Sequence, residues 1–156
     1  MTVTQIDLFP QMPDASIGFA SLAEAEQVAM GCVRCGLCET RNNVVFNDGN
    51  PEAKIMIIGE GPGQNEDEQG LPFVGRAGQL LTQIIESVGF NRQQDTYICN
   101  IVKCRPPQNR VPTPEEAAAC RPYLMSQIHF VRPRIILLAG ATALKGVLGL
   151  QAPITK

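Results

Sequence analysis

Short apolar runs alternate along this chain with longer segments in which apolar residues recur at helical spacing. Three runs, residues 53–59, 96–101 and 134–139, are continuous enough to predict strands buried on both faces. The segments that follow them predict helices, over residues 77–88, 114–129 and 141–148. This alternation predicts a doubly wound, three-layer α/β/α domain with a mostly parallel central sheet.

A capping pattern marks where the ordered part of the chain begins. Ser21 and Glu24 have the spacing of a capping box, which predicts a short helix that ends near Met30. Residues 1–20 contain prolines and no sustained periodicity. We therefore expect a flexible tail over residues 1–20 and one domain over residues 21–156.

Two polar residues follow the first two predicted strands. Glu60 comes directly after residues 53–59, and Asn100 lies near the end of residues 96–101. Because ligands of doubly wound sheets bind beyond the carboxyl ends of the strands, we expect both side chains at one crevice. The Gly/Pro-rich loop predicted over residues 60–76 lacks the signatures of phosphate and dinucleotide loops. It favours a planar polar ligand, and the alternative is a tight turn with no ligand.

Composition excludes several classes of protein. With 156 residues, 44% hydrophobic and 18% charged, the chain has the size and balance of one folded domain. It has no apolar run that could cross a bilayer and no secretory signal at its start, so we expect neither a membrane protein nor a secreted precursor. The net charge is −8 over residues 1–90 and +6 over residues 91–156. The basic half predicts a surface that faces a polyanion, or else a solvated face without a partner.

Six cysteines in a chain without an export signal indicate metal or redox chemistry. Cys32 and Cys35 form a C-x2-C pair, and Cys104 and Cys120 each precede Arg-Pro. Four thiolates suit either a tetrahedral zinc ion or a 4Fe–4S cluster. The long gap in the second pair is unlike a zinc ribbon, which favours the cluster without excluding zinc. Cys38 can replace Cys35 in the C-x2-C count, so spacing alone leaves that ligand open.

Three motifs stand out along the chain: residues 59–63 (GEGPG), 72–78 (PFVGRAG) and 100–110 (NIVKCRPPQNR). Together they resemble family 4 uracil-DNA glycosylases, the iron–sulfur type of that superfamily. The likeness runs from about residue 30 to the end of the chain, with several long motifs in the same order, so it is highly specific. It implies the uracil-DNA glycosylase fold and an enzyme that hydrolyses the N-glycosidic bond of deoxyuridine in DNA, releases uracil and leaves an abasic site.

The resemblance also implies a cofactor and a location. It implies a structural 4Fe–4S cluster with four cysteine ligands, which are Cys32, Cys35, Cys104 and Cys120. Cys38 and Cys99 are then not ligands. We expect a monomer in the cytoplasm of a bacterial-type cell, associated with the nucleoid.

A pocket for a uracil that has left the base stack is the third implication. Phe73 would stack on the base, although a buried Phe is more often a packing residue. Asn100 would read the O4 and N3 edge of uracil, because an amide both donates and accepts. Backbone N–H groups of Glu60 and Gly61 would hold uracil O2, with Pro62 beside them. The Glu60 carboxylate would orient the attacking water or steady the cationic sugar.

Partners follow from two further sets of residues. Three basic residues beside the site are candidates for contacts with DNA phosphates: Lys103, Arg105 and Arg110. In the tail, Gln5, Leu8 and Phe9 resemble the peptide by which bacterial repair and replication proteins bind the replicase sliding clamp. The alternatives are solvated surface charges and an ordinary tail.

The chain departs from the family at its end. The family continues with a fourth strand and a His-Pro-Ser/Ala segment whose His donates to uracil O2, whereas this sequence stops at Lys156. His129, the only histidine, lies in a predicted helix and does not match that position. We therefore expect either an active glycosylase or an iron–sulfur module that binds DNA with weak or no turnover.

Overall fold

A four-stranded mixed sheet lies at the centre of the protein, in a computed structural model that describes residues 18–149. The strands are β1 Asp48–Gly49, β2 Ile55–Gly59, β3 Thr96–Asn100 and β4 Ile135–Leu138. Their order across the sheet is β1-β3-β2-β4. β2 pairs in parallel with β3 and β4, whereas β1 pairs antiparallel with β3. The predicted mostly parallel sheet is confirmed, and β1 is an addition that the apolar pattern did not indicate.

Helices connect these strands at nearly the predicted limits. Within the described range they are α1 Leu22–Met30, α2 Gln64–Gln69, α3 Arg76–Ser87, α4 Arg92–Asp95, α5 Pro114–Val131 and α6 Ala141–Leu148. The prediction of a loop throughout residues 60–76 is wrong, because α2 lies within it. The Glu66 carboxylate accepts a hydrogen bond from the Gly63 N–H at 3.1 Å, which caps the first turn of this helix.

Helices cover both faces of the sheet. On one face, Met56 and Tyr97 belong to the main apolar core, to which α1, α5 and α6 contribute. On the other face, Ile57 and Ile98 pack with Ile85 of α3. Neighbouring residues of one strand enter different layers because side chains alternate across a pleated strand. The predicted three-layer α/β/α architecture is confirmed.

This layering predicts a crevice beyond the carboxyl ends of β2 and β3. The chain passes from β2 to α3 on one face and from β3 to α5 on the other. Such a divergence between neighbouring parallel strands leaves a gap beyond their carboxyl ends. Gly59 and Asn100, the last residues of β2 and β3, are register partners. The residues that follow both strands are therefore brought to the same place.

Some predictions fall on segments beyond the described part of the chain. Gln5, Leu8 and Phe9 lie outside it, so the clamp-binding interpretation stays a prediction, as does the tail of residues 1–20. Between residues 18 and 149, no helix is both long enough and apolar enough to cross a membrane.

Candidate functional site

Asn100 and Phe73 meet at the carboxyl end of β2, against Gly59. A Cβ atom on Gly59 would lie 2.5 Å from Oδ1 of Asn100 and 2.5 Å from Cζ of the Phe73 ring. Side chains do not tolerate such distances, so the glycine allows the amide and the ring to approach the strand together. Asn100 is 2% exposed. A buried amide and an aromatic ring thus border the crevice.

The Phe73 ring also touches the core. It is half-buried and packs against the apolar cluster of Ile57, Ile85 and Ile98. One part of the ring therefore serves packing, and another part approaches Gly59 and Asn100 at the crevice. Its stacking role stays a prediction, because packing and stacking are compatible with this position.

Glu60 begins the loop after β2 and is half-buried. Its carboxylate accepts a hydrogen bond from the hydroxyl of Thr142, in the first turn of α6. The Glu60 carbonyl accepts from the Val102 N–H at 3.2 Å. A Cβ on Gly61 would lie 2.8 Å from the Val102 side chain, and Pro62 is buried. The loops after β2 and β3 are thus held against each other.

A second site lies beside the crevice, in a cavity lined by cysteines. The cavity is bordered by Cys32, Cys35, Cys38, Cys104 and Cys120. Cys99 is buried in β3, away from this lining. The Tyr123 hydroxyl belongs to a residue of the same lining and, among the described residues, is a buried group without a hydrogen-bond partner. A buried donor without an acceptor, beside several sulfurs, fits a bound inorganic group that supplies acceptor atoms.

Neighbouring segments donate hydrogen bonds to two of the sulfurs. Arg41 Nη1 lies 3.3 Å from Cys104 Sγ, and the Lys103 backbone nitrogen lies 3.3 Å from Cys120 Sγ. Burial raises the pKa of the Cys104 thiol, an effect that the bond from Arg41 partly opposes. Burial likewise raises the pKa of the Cys120 thiol to about 11. A metal that bound these sulfurs would displace their protons.

The arrangement of the cysteines sets Cys99 apart from the cavity but does not decide between Cys35 and Cys38. Over residues 18–149, no three His, Cys, Asp or Glu side chains are gathered so that they could hold one metal ion. Cys35 immediately precedes the 3-10 turn Gly36–Glu39, and Cys38 lies within it. Both are half-buried and line the cavity. The choice between Cys35 and Cys38 therefore stays a prediction.

Lys103 is buried, which contradicts the expected contact with a DNA phosphate. It is 1% exposed, and its Nζ donates to the Asn100 carbonyl at 2.6 Å and to Gln127 Oε1 at 2.5 Å. The ammonium group also lies 5.8 Å from the centroid of the Phe46 ring. A cation enclosed in this way does not reach a nucleic-acid backbone. Lys103 instead ties the end of β3 to α5.

The other two expected phosphate contacts are engaged with protein groups. Arg110 binds both carboxylate oxygens of Glu116, at 2.7 and 2.8 Å, and this hydrogen-bonded pair holds the pKa of Glu116 below its usual value. Arg105 Nε donates to Asn109 Oδ1 at 2.7 Å. The Arg110 side chain is 42% exposed, and Arg105 is half-buried. Both therefore stay candidates for phosphate contacts.

Three neighbours of the two sites were not identified from the sequence: Thr142, Arg41 and Gln127. Thr142 had a usable signal, since it lies shortly after the third predicted strand, at the edge where ligands bind. Arg41 and Gln127 had none. Their partners Cys104 and Lys103 are distant in the chain and are brought near only by folding.

The fold defines an α/β protein in which the ends of two neighbouring parallel strands and the loops after them meet. A buried amide and an aromatic ring approach each other there, a carboxylate follows the same strand, and a cysteine-lined cavity includes residues of the loop after β3.

Several known proteins match this sequence. The model of the uracil DNA glycosylase superfamily matches residues 46–155. A type-4 uracil-DNA glycosylase of Thermotoga maritima is 52% identical over 126 residues, which are 80% of this chain and 65% of the relative. One of Archaeoglobus fulgidus is 45% identical over 130 residues, or 83% of this chain and 65% of the relative. A type-5 uracil-DNA glycosylase of Thermus thermophilus is 30% identical over 114 residues, or 64% and 52% of the two chains.

This chain belongs to the uracil DNA glycosylase superfamily. The expected relationship to its type-4 members is confirmed by the two more similar relatives. The chain spans 65% of the length of each of these curated relatives.

Proposed function

We propose that this chain carries the base-excising domain of a DNA repair enzyme, which hydrolyses the N-glycosidic bond of deoxyuridine and leaves an abasic site. The observation that carries the proposal is the convergence of the Asn100 amide and the Phe73 ring at Gly59. The likeness to proteins named type-4 uracil-DNA glycosylases supports the choice of uracil as the base.

A uracil in this crevice would be recognised by its edge and its face. The base must leave the stack, and its ring would then lie on Phe73. The Asn100 amide would donate to O4 and accept from N3–H. Cytosine presents an amino group and an unprotonated N3 at those positions, so an amide kept in the orientation that suits uracil would pair with neither. Because Asn100 is 2% exposed, such unpaired groups are costly.

The reaction joins a water oxygen to C1′ of the sugar, breaks the bond from C1′ to N1 of the base, and passes one proton of that water to the released uracil. Negative charge develops on uracil O2 while the sugar becomes cationic. Backbone N–H groups of Glu60 and Gly61 would donate to O2. The Glu60 carboxylate would steady the sugar or orient the water, and the bond from Thr142 would fix its direction.

A strand-cleavage assay tests this function. The 156-residue chain is incubated with a single-stranded oligonucleotide that contains one uracil, and the product is treated with alkali. We expect cleavage at the uracil and none in the matching thymine oligonucleotide. Binding of the DNA without cleavage would contradict the proposal and support the alternative of a binding module without turnover.

Replacing Glu60 with glutamine should lower the single-turnover rate of uracil release by about a hundredfold, since the variant removes the charge that faces the sugar. Thr142→Val should lower the rate by roughly threefold to tenfold, because the carboxylate remains but loses one hydrogen bond. Glu68→Gln is the matched control, since Glu68 is an exposed carboxylate of α2 that accepts from Gln64. A Glu60→Gln variant as fast as the control would remove the carboxylate from the mechanism.

We further infer that the cysteine cavity holds a structural 4Fe–4S cluster on Cys32, Cys35, Cys104 and Cys120. Supporting features are the thiol donors, the N–H groups directed at two sulfurs and the unpaired Tyr123 hydroxyl. When bound, the cluster would cross-link the segment after α1 to the loop after β3 and to α5.

Serine variants at residues 35 and 38 separate the two candidate ligands. Cys35→Ser should lose bound iron and the broad absorbance near about 400 nm, whereas Cys38→Ser should keep both, because only one of the two thiolates is a ligand. Iron content and visible spectra of the purified variants give the answer. If Cys38→Ser loses the colour and Cys35→Ser retains it, the ligand is Cys38.

Two partners complete the proposal. Arg105 and Arg110 would contact DNA phosphates at the rim of the crevice, with Arg110 exchanging part of its bond to Glu116 for a phosphate. Gln5, Leu8 and Phe9 would bind the replicase sliding clamp. The excess of basic residues after residue 90 supports the first contact, and the peptide's sequence pattern supports the second.

A further inference from the structure

Arg92 donates hydrogen bonds to the chain segment that carries Phe73. From the start of α4, its Nη2 donates to the Pro72 carbonyl at 2.7 Å and its Nη1 to the Phe73 carbonyl at 2.8 Å. Nη1 also donates to Thr82 Oγ1 at 2.9 Å, and Nε donates to Asp48 Oδ2 at 3.0 Å. One guanidinium thus joins α3, α4, β1 and two successive carbonyls of the loop.

The backbone at Phe73 needs such support. Its φ is 53°, in the left-handed region that costs energy for a residue with a side chain. A Cβ on Gly78 would lie 1.8 Å from the Phe73 carbonyl oxygen, so α3 approaches this carbonyl closely. On the far side, Glu66 Oε1 accepts from the N–H groups of Val74 and Gly75 at 2.9 and 2.8 Å.

The charge and burial of Arg92 suit this role. The Arg92 and Asp48 side chains are 12% and 13% exposed, so the ion pair is largely removed from solvent. Asp48 is fixed in turn by two bonds from the Gln93 side chain, both at 3.0 Å. A planar guanidinium can donate in several fixed directions at once, which the single ammonium of lysine does not reproduce.

We propose that Arg92 is a positioning residue for Phe73: it holds the left-handed loop so that the ring lies beside Asn100, ready to stack on the extruded base. The inference rests on the proposed function for its substrate. The loop has two anchors, Arg92 on the carbonyl side and Glu66 on the N–H side, and both are provided by elements outside residues 72–75. The two-residue strand β1 carries Asp48, which holds Arg92 in place.

A double-mutant cycle tests whether Arg92 acts through Phe73. Arg92→Met should slow single-turnover uracil release by roughly tenfold to a hundredfold, because a misplacement of about 1 Å at a reacting group has effects of this size. Phe73→Ala should slow it by a similar factor. The double variant should be no slower than Phe73→Ala, since the guanidinium then has no ring to position. Multiplicative losses would overturn the proposal.

Two further variants separate positioning from general damage. Thr82→Val removes one bond to the same guanidinium and leaves both carbonyl bonds, so it should stay within about threefold of the wild-type rate. Asp48→Asn keeps Arg92 in the chain but weakens its anchor, so it should slow release by a factor between those of Thr82→Val and Arg92→Met. Affinity for uracil-free DNA should be unchanged in all of them. If Thr82→Val releases uracil as slowly as Arg92→Met, loss of the bonds to the Pro72 and Phe73 carbonyls does not explain the slow release.

Amide hydrogen exchange distinguishes failure of this inference from failure of the proposed function. In Arg92→Met, exchange of the Val74 and Gly75 N–H groups should accelerate by at least about tenfold, while the amides of β2 and β3 keep wild-type protection. Unchanged exchange at Val74 and Gly75 would overturn the proposed anchor even if the wild-type chain is active. If exchange accelerates in Arg92→Met but the wild-type chain releases no uracil, the result supports the anchor and contradicts the proposed reaction.

Discussion

Replacing Asn100 with alanine is expected to lower the rate of uracil release by about a hundredfold to a thousandfold. The amide is the group that would pair with both O4 and N3–H of the base, at a position that is 2% exposed. Truncation leaves those two polar atoms of uracil without partners in a place that water enters poorly, and this cost grows as negative charge develops on the base in the transition state. The measurement is single-turnover release from a uracil oligonucleotide, with the enzyme in excess.

Controls for this variant must show that only recognition has changed. The bond from Lys103 to the Asn100 carbonyl involves the backbone, so the alanine variant retains it. We therefore expect the melting temperature and the affinity for uracil-free DNA to remain near those of the wild type. Gln83→Ala, which truncates an exposed amide of α3, should leave the rate unchanged. An Asn100→Ala rate within about threefold of this control would be too small for loss of a buried recognition group, and would exclude Asn100 as the base-reading residue.

Cys120→Ala is expected to be the most destabilising of the single changes considered. Cys120 lies in α5, with its sulfur bonded to the Lys103 N–H, and would join α5 to the other cluster ligands. Loss of a metal site is among the few mechanisms that cost more than about 4 kcal/mol. For a domain of this size, that corresponds to a fall in melting temperature of roughly 10 °C. Iron content, visible absorbance and thermal unfolding of the purified chain measure the effect.

Cys99→Ala is the matched control for this second prediction. Cys99 is also buried, in β3, but lies away from the cavity lining. It should keep its iron and its colour and lose about 1 kcal/mol of stability, as for the loss of one small buried side chain. If Cys120→Ala and Cys99→Ala both keep the wild-type spectrum, Cys120 is not a ligand. A colourless wild-type chain with one bound zinc would show that the site holds a tetrahedral zinc ion instead of the cluster.

Hydrophobic periodicity was enough to predict most of the architecture. The continuous apolar runs became β2, β3 and β4, and the capping residues Ser21 and Thr113 begin α1 and α5. These features are local, because burial of a strand and capping of a helix depend on residues within a few positions. The short elements escaped prediction. β1 consists of two residues that pair with distant Tyr97 and Ile98, and no local pattern indicates such a pairing.

Some residues of the candidate sites were likewise predicted from local sequence, and others were not. Strand ends and motifs indicated Glu60, Asn100 and Phe73, and C-x2-C spacing indicated the first cysteine pair. The error at Lys103 has a simple cause. Its position in a basic loop suggests solvent exposure, whereas the folded chain encloses it between β3 and α5, with hydrogen bonds to Asn100 and Gln127.

The sequence by itself determined the order of the main strands and helices, the meeting of Glu60 and Asn100 at the carboxyl ends of two strands, and the family to which the chain belongs. These follow from the types of residues and their spacing along one chain. Only the tertiary structure decided that Arg92 holds the loop of Phe73, that Thr142 holds Glu60 and that Lys103 is buried. The physical reason is that each of these contacts joins groups 19 to 82 residues apart. Their geometry depends on packing across layers of the fold, which no local pattern encodes.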